Sequence, residues 1–291
     1  MEDVTDQDDQ DLRELGPELR KIAVEIARET AALALAVRDR VVGDRSVADM
    51  TTKSSATDVV TAGDRECEAL VRERLAVLRP DDAVLGEEEG GATSARPGQV
   101  RWVVDPIDGT VNYTHGLPWF SVSLGAEIDG RAVAGAVVEP VYGRVWSAAA
   151  GHGATLDDRP LRASALDRVE IAVVGTGLAY DPARRARQAA LVARVAGSIG
   201  DVRRQGCASL DLCSVAAGWV DGFYEHGLKP WDWSAGALIA EEAGAVVRRP
   251  VTDAAPDAPD DGWGPEATFA AGPALAGPLA ELLRSAGARE V

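Results

Sequence analysis

The sequence predicts an α/β or α+β fold in which helices and sheets are stacked in layers. Three observations support this prediction. From residue 62 onward, segments with helical periodicity alternate with short apolar runs of strand length. A block of consecutive hairpin-like strands occupies residues 120–162. The chain of 291 residues is long enough for one large or two modest domains, and this alternation is typical of layered folds.

The N-terminal half opens with an amphipathic helix predicted over residues 12–42. Leu19 and Ile26 fall on its apolar face, and Gly43 suits a helix C-terminus. Before it, residues 1–11 are acidic and polar, and we expect them to be a disordered tail. The next predicted elements are a helix from residue 62 to Pro80, a strand at 83–85, a strand at 99–104 and a hairpin that turns at Asp129–Gly130.

The C-terminal half continues the alternation of strands and helices. Strands are predicted at 169–177, 221–227, 245–250 and 266–273, and helices at 181–198, 208–220, 233–245 and 278–286. The Pro- and Asp-rich segment 251–265 is predicted to be a surface loop. A soft boundary between two subdomains falls near residues 148–165. Placed at residue 150, it gives an N-terminal α+β subdomain over 12–150 and a C-terminal α/β subdomain over 151–291.

Charge and composition exclude several classes of function. The chain has 47 acidic and 30 basic residues, for a net charge of −17, and such a surface repels nucleic acids and anionic membranes. An acidic protein that binds an anionic substrate needs positive charge at its site, and a divalent cation can supply it. We therefore expect neither a nucleic-acid nor a membrane partner.

The cysteines and the N-terminus indicate a reducing compartment. Cys67, Cys207 and Cys213 are an odd number and form no CxxC pair, so we expect buried free thiols. No run approaches 18 apolar residues, and the acidic N-terminus is the opposite of a secretory signal. These observations predict a cytoplasmic protein.

Acidic residues recur in loops and at the ends of predicted strands, where an active site can be assembled. The candidates are Asp58, Glu87, Glu88, Asp105, Asp108 and Asp232. Taken singly, each is more easily explained as a solvated turn residue. Several carboxylates can share a small volume only if cations neutralise them, and oxygen ligands without His or Cys suit Mg²⁺, with Mn²⁺ as an alternative.

The segment "DPIDGT" at residues 105–110 combines this acidity with a phosphate-binding turn. Pro106 fixes the backbone after a buried strand, and Gly109 permits close approach of a ligand. Gly109 and Thr110 open a predicted helical turn, whose free N–H groups can hold a phosphate. Cations beside an anion site indicate phosphate chemistry.

Three of these segments resemble the signatures of the inositol monophosphatase family. They are "GEEEG" at 86–90, "DPIDGTVN" at 105–112 and "WDWSAG" at 231–236, in the family's order. Further similarity at 53–64, 151–161 and 224–232 extends the resemblance over residues 15–285, and it is greatest to the bacterial inositol-1-monophosphatase branch. The resemblance implies a layered αβαβα sandwich of the inositol monophosphatase and fructose-1,6-bisphosphatase type, a homodimer and inhibition by Li⁺.

The resemblance also implies roles for individual residues. A first Mg²⁺ would be bound by Glu87, Asp105 and the carbonyl of Ile107, a second by Asp105, Asp108 and Asp232, and a weaker third also by Glu87. Thr110 and Asp58 would orient and deprotonate a water, with Glu87 in the same catalytic group. The substrate contacts would come from Asp108, Gly109, Thr110, Ala208, Glu225 and Asp232, with Lys53 beside the site. The N-terminal subdomain would thus bind metal and phosphate, and the C-terminal subdomain would contribute Asp232 and substrate contacts.

The expected activity is Mg²⁺-dependent hydrolysis of an inositol monophosphate to myo-inositol and phosphate. Histidinol phosphate, 3′-phosphoadenosine phosphate and fructose 1,6-bisphosphate stay open as alternative substrates. A basic patch for a second phosphate is not evident near the motifs, with Arg203 and Arg204 as the reservation. The alternative from another class is a non-catalytic docking role with RNA or the transcription machinery.

Overall fold

A computed structural model describes residues 2–44, 51–52, 59–60, 62–91, 95–251 and 261–291 of the chain. Two residues named above, Lys53 and Asp58, lie outside these ranges, and so does most of the predicted loop at 251–265. In the described part of the chain, no helix combines the length and the apolar character needed to cross a bilayer.

The described chain contains helices and strands in close alternation. The helices are α1 (Glu2–Asp44), α2 (Ala62–Leu78), α3 (Thr110–Thr114), α4 (Pro182–Val195), α5 (Ala208–Ala216), α6 (Pro230–Glu242) and α7 (Ala276–Ser285). The strands are β1 (Thr51–Thr52), β2 (Val59–Val60), β3 (Ala83–Gly86), β4 (Gly90–Gly91), β5 (Val100–Asp108), β6 (Ser121–Ile128), β7 (Arg131–Glu139), β8 (Arg144–Ala149), β9 (Ala154–Leu156), β10 (Arg159–Pro160), β11 (Val173–Thr176), β12 (Asp201–Arg203), β13 (Gly222–His226), β14 (Val246–Arg248) and β15 (Ala267–Ala271). Single 3₁₀ turns occupy Val169–Ile171 and Ala288–Glu290.

These elements form five layers. An eight-stranded sheet has the order β10-β9-β8-β7-β6-β5-β3-β4, a five-stranded sheet has the order β12-β11-β13-β15-β14, and β1 and β2 form a separate pair. Helices α1 and α2 pack on one face of the larger sheet, α5 and α6 lie between the two sheets, and α4 and α7 lie on the far side of the smaller sheet. The layered αβαβα sandwich is therefore confirmed.

The interior follows the predicted periodicities. Leu19 and Ile26 of α1 are fully buried against the larger sheet, as the helical pattern predicts. Strand β5 is buried on both faces because it lies between β3 and β6 and is covered by helices, which explains its continuous apolar run. The hairpin between β6 and β7 turns at Asp129 and Gly130, with φ of 50° and 77°, as the Asp-Gly pair predicts.

Two features of the structure bear on the predicted boundaries, which stay predictions. The backbone of residues 2–11 is helical in α1, whereas the sequence predicts a disordered tail there. Strands β9 and β10 pair onto the larger sheet, so that sheet runs to Pro160, within the region 148–165 in which the sequence places the boundary. The reason is that β9 continues the antiparallel meander from β8, and only at Val173 does the chain enter the second sheet.

Candidate active site

Two of the acidic segments meet because their strands are parallel neighbours. Strand β3 pairs in parallel with β5, with Gly86 opposite Val104, and the Glu87 N–H donates to the Val104 carbonyl at 3.2 Å. Glu87 and Asp105 therefore leave the sheet at the same edge. Between Asp105 and Asp108 the pairing of β5 with β6 shifts register, and such a bulge re-aims side chains at a strand end.

The third acidic segment comes from the C-terminal half. Asp232 lies in the first turn of α6, where its Oδ2 accepts a hydrogen bond of 2.6 Å from the Lys229 N–H. The hydroxyl of Ser123 on β6 donates to the carbonyl of Trp231 at 3.3 Å and so attaches the start of α6 to the larger sheet. This contact places Asp232 beside the acids of β5.

The negative charges of these carboxylates act unfavourably on one another. Burial raises the pKa of the Asp105 carboxyl well above its usual value, and negative neighbours raise it further. These neighbours are Glu87, Asp108, Asp232 and Asp64. Burial also raises the pKa of Asp232, and Asp108 is its strongest charged neighbour. The arrangement concentrates negative charge that a cation would offset.

The donor set fits a hard divalent cation, although the side chains are not yet gathered around a single point. Among the described residues, no group of three or more His, Cys, Asp and Glu side chains is arranged to hold a metal ion as it stands. One oxygen of each acid is engaged in a hydrogen bond: Asp105 Oδ1 with the Ile107 N–H, Asp108 Oδ2 with Ser209, and Asp232 Oδ2 with the Lys229 N–H. Carboxylate and carbonyl oxygens are the ligands that Mg²⁺ and Mn²⁺ prefer.

The predicted phosphate-binding turn lies directly beside these acids. Gly109 has a left-handed φ of 90°, and a Cβ there would come within 3.2 Å of the carbonyl oxygens of Trp119 and Gly206, so glycine is required on both counts. Helix α3 starts at Thr110, and the first N–H groups of a helix have no partner within it. The turn can therefore present N–H donors to an anion.

Thr110 has an acidic partner that the sequence reasoning missed. Its Oγ1 lies 3.1 Å from the Ile107 carbonyl and 3.4 Å from Oδ1 of Asp64, which is buried in the first turn of α2. Asp58, the partner expected from the resemblance, lies outside the described residues. The available signal was the position of Asp64 near the start of a predicted helix.

A cavity of about 370 Å³ opens beside the carboxylates. Of the predicted site residues, the following line it: Glu87, Asp108, Gly109, Ala208, Glu225 and Asp232. Three cations that the sequence reasoning did not assign to the site also line it: Arg184, Arg204 and Lys229. A larger cavity of about 630 Å³, between α1 and strands β8 and β9, contains none of the predicted site residues, so the chemistry favours the smaller one.

Glu225 forms the wall of the cavity with Arg204. Burial raises the pKa of the Glu225 carboxyl to about 7, against the opposing effect of Arg204. Gly177 and Gly206 make room for this pair, because a Cβ on either would overlap with Glu225 or Arg204. A carboxyl group accepts hydrogen bonds from hydroxyl groups and a guanidinium donates to them, so this wall offers both kinds of contact.

The loop that carries Glu87 is held by a second buried acid absent from the sequence prediction. Glu68 of α2 is fully buried; its Oε2 accepts from the Glu88 N–H at 2.7 Å and its Oε1 from the Glu89 N–H at 3.1 Å. Arg72 pairs with the same carboxylate at 2.8 Å. The sequence places Glu68 within a helix, and nothing in a helical pattern indicates a contact with a loop twenty residues away.

Comparison with known proteins gives a consistent picture. The sequence model of the Inositol monophosphatase family matches residues 18–285. A protein of Mycobacterium leprae named Inositol-1-monophosphatase is 50% identical over 244 residues, which cover 80% of this chain and 84% of the relative. The solved structure of Mycobacterium tuberculosis SuhB is 40% identical, covers 94% of this chain and 98% of its own, and superposes with a TM-score of 0.77.

A more distant relative has a name of another kind. The protein named Nus factor SuhB in Pasteurella multocida is 39% identical over 198 residues, covering 68% of this chain and 74% of the relative. The family match spans both halves of the chain and all three acidic segments that meet at the cavity. The chain therefore belongs to the inositol monophosphatase family, as its acidic signatures predict.

Proposed function

We propose that this protein hydrolyses an inositol monophosphate to myo-inositol and phosphate in a Mg²⁺-dependent reaction. The observation that carries the proposal is the group of mutually repelling carboxylates beside the helical turn that begins at Thr110. Its coarser part, that the chain is a phosphatase, follows from the family and from the names of the relatives. The substrate, the metal and the roles of the residues are our proposals.

We assign one Mg²⁺ to Glu87, Asp105 and the Ile107 carbonyl, and a second to Asp105, Asp108 and Asp232, with Mn²⁺ as an alternative. A third, weaker ion would also use Glu87. Such ions, when bound, lower the pKa of a water and neutralise charge that develops on phosphate and leaving-group oxygens. Because the side chains are not gathered around a single point, we expect them to reorient when the ions bind.

The remaining steps belong to the chain's own groups. The N–H groups of Gly109 and Thr110 would hold the phosphate oxygens at the start of α3. The Thr110 hydroxyl would orient the attacking water and pass the proton of that water to Oδ1 of Asp64, which lies 3.4 Å from the hydroxyl oxygen. Asp64 thus replaces Asp58 in our assignment.

The polyol would occupy the cavity wall formed by Glu225, Ala208 and Arg204. The carboxyl of Glu225 can accept hydrogen bonds from ring hydroxyls, and the guanidinium of Arg204 can donate to them. The cavity is therefore polar at both ends, with the phosphate beside the acidic cluster and the ring beside Glu225.

Because the sequence resembles the inositol monophosphatase family, we also propose that the protein is a homodimer, is located in the cytoplasm and is inhibited by Li⁺.

The test is a panel of phosphate-release assays on purified protein. The substrates are inositol-1-phosphate, histidinol phosphate, fructose 1,6-bisphosphate and 3′-phosphoadenosine phosphate, each with and without Mg²⁺ and Li⁺. We expect the highest kcat/KM on inositol-1-phosphate, complete dependence on Mg²⁺ and inhibition by Li⁺. Absence of Mg²⁺-dependent release from all four would refute the enzyme proposal, and a preference for another ester would refute the substrate.

A docking role is the second candidate, and the name of the Pasteurella multocida relative is the observation that favours it. The acids at the site, including Asp105 and Asp232, are all present, which favours an enzyme. Co-purification with transcription factors by a protein that releases no phosphate from the panel would support the docking role instead.

A further inference from the structure

Asp108 is surrounded by three small polar side chains that the proposed reaction does not use. Ser121 on β6 and Ser209 on α5 are fully buried, and Cys207 precedes α5 and is 1% exposed. A buried hydroxyl costs free energy unless its hydrogen bonds are made, and alanine would fill either serine position without that cost. The hydrogen-bond partners of these two serines therefore indicate why serine and not alanine is present.

Two of these side chains, Ser209 and Cys207, converge on one oxygen of Asp108, and Ser121 contacts both of them. Its Oδ2 accepts from the Ser209 N–H at 2.7 Å, from the Ser209 hydroxyl at 2.6 Å and from the Cys207 thiol at 3.2 Å. The Ser121 hydroxyl lies 2.7 Å from the Ser209 hydroxyl and 3.4 Å from the Cys207 sulfur. The hydrogen bonds from Ser209 and Cys207 thus engage Oδ2, and the Ala208 N–H is a further hydrogen-bond donor to the same carboxylate.

The direction of the hydroxyl protons follows from counting them. An ionised carboxylate only accepts, so the single hydroxyl proton of Ser209 is directed to Asp108. The bond between the two serines must then be donated by Ser121 to the Ser209 oxygen. Ser121 therefore reaches Asp108 through Ser209, and each bond in this chain polarises the next.

The same contacts join both halves of the molecule. Cys207 occupies the N-cap position of α5, yet its own side chain makes no capping bond to that helix. The carboxylate of Asp108, at the end of β5, accepts the Ser209 N–H in its place. Rotation of Asp108 would therefore break the start of α5 as well as the serine contacts.

We propose that Ser121 and Ser209 are positioning residues that lock Oδ2 of Asp108 onto the start of α5, so that its other oxygen is presented to a divalent cation. This inference rests on the proposed function only for the identity of the cation. It goes beyond that function because it assigns a role in metal affinity to two serines that contact neither metal nor substrate.

The test measures metal binding in the absence of substrate. Mn²⁺ is titrated into Ser209→Ala, Ser121→Ala and the double variant, and free Mn²⁺ is followed by electron paramagnetic resonance. Ser214→Ala is the matched control, because Ser214 is a buried serine of the same helix whose hydroxyl donates to the Leu210 carbonyl at 2.7 Å.

We expect Ser209→Ala to raise the Mn²⁺ dissociation constant about tenfold, the usual size of an effect from a group that orients a metal ligand. Ser121→Ala should raise it by less, and the double variant should match Ser209→Ala because Ser121 acts through Ser209. Ser214→Ala should bind Mn²⁺ like the wild type. The KM for the phosphate ester should change less than twofold in all four.

The outcomes separate this inference from the proposed function. Equal Mn²⁺ affinity in the wild type, Ser209→Ala and Ser214→Ala overturns the inference, whatever the phosphatase activity. If the effects of the two serine substitutions on the Mn²⁺ dissociation constant are additive, Ser121 does not act through Ser209. The expected shifts in a protein that releases phosphate from no ester would uphold the inference and refute the proposed function. If Ser209→Ala does not fold, Ser121→Ala decides, and wild-type affinity in that variant overturns the inference.

Discussion

Glu68→Ala should loosen the loop that carries Glu87. The substitution removes the acceptor of two backbone N–H groups, those of Glu88 and Glu89, and the partner of Arg72. Each unsatisfied N–H costs about 1–3 kcal/mol, and breaking a buried ion pair costs about 3–5 kcal/mol. Because Arg72 is partly exposed and can turn to solvent, we expect a total loss of about 4 kcal/mol in the free energy of unfolding.

Gly86→Ala tests the same contact from the other side. A Cβ on Gly86 would overlap with the Glu68 carboxylate and displace it from the loop. Alone, this substitution should cost about 3 kcal/mol, since it breaks the same hydrogen bonds. In the Glu68→Ala background the space is empty, so the double variant should be only slightly less stable than Glu68→Ala, which is a coupling of about 3 kcal/mol.

Urea unfolding of the wild type, the two single variants and the double variant measures this coupling. Glu73→Ala, an exposed glutamate on the same helix, is the control and should be nearly neutral. The half-saturating Mg²⁺ concentration should rise in Glu68→Ala, because Glu87 adjoins the released N–H groups. Costs that add within about 0.5 kcal/mol would refute the reasoning, since independent sites are additive to that degree.

Three further substitutions test the acids and the buried histidine. Asp105→Asn removes one of several charges that repel one another, so the Tm of the metal-free protein should stay the same or rise. Stabilisation by Mg²⁺ and turnover should both be lost. Thermal unfolding with and without Mg²⁺ checks this, and near-wild-type turnover would exclude Asp105 as a metal ligand. Asp64→Asn should lower kcat about 100-fold, which is the low end of the contribution that a general base makes to a rate, and Asp58→Asn should not. Phosphate-release assays measure both variants. The reverse order of effects would assign the role of general base to Asp58. Burial lowers the pKa of His226 from 6.5 to about 4. Between these two pH values the histidine is protonated in the unfolded chain but neutral in the folded chain, so acid favours unfolding. The free energy of unfolding of the wild type should therefore fall by about 2 kcal/mol between pH 7 and pH 5 because of this group. Urea unfolding of His226→Gln should show a decrease that is smaller by that amount. A decrease in His226→Gln as large as in the wild type and in the control His152→Gln would contradict the prediction.

The predicted acids came together because each lies where local sequence determines its position. Glu87 and Asp105 follow apolar runs, and parallel neighbours end at the same edge of a sheet. Gly109 was recognisable because a left-handed turn needs glycine, and the structure gives it a φ of 90°. Strand ends, turns and helix starts are readable from a few neighbouring residues, so this part of the site was predictable.

The contacts that hold these acids were not predictable in the same way. Glu68 and Glu88 are separated by 20 residues, and Ser121 and Ser209 by 88, and such pairs share no pattern in the sequence. The sheet that β9 joins was not predictable for a related reason, because only the strand with which β9 pairs decides it. The role of such side chains depends on the residues that they contact in the folded chain.

The sequence by itself determined the layered alternation, the apolar faces of the elements, the candidate acidic residues and the turn beside them, because these depend on periodicity and on local backbone chemistry. Only the tertiary structure decided that Asp64 lies beside Thr110, and that Arg184, Arg204 and Lys229 line the cavity. It alone decided which oxygen of Asp108 is engaged. The physical reason is that these facts depend on how two sheets pack around α5 and α6, and packing brings together residues that the chain keeps far apart.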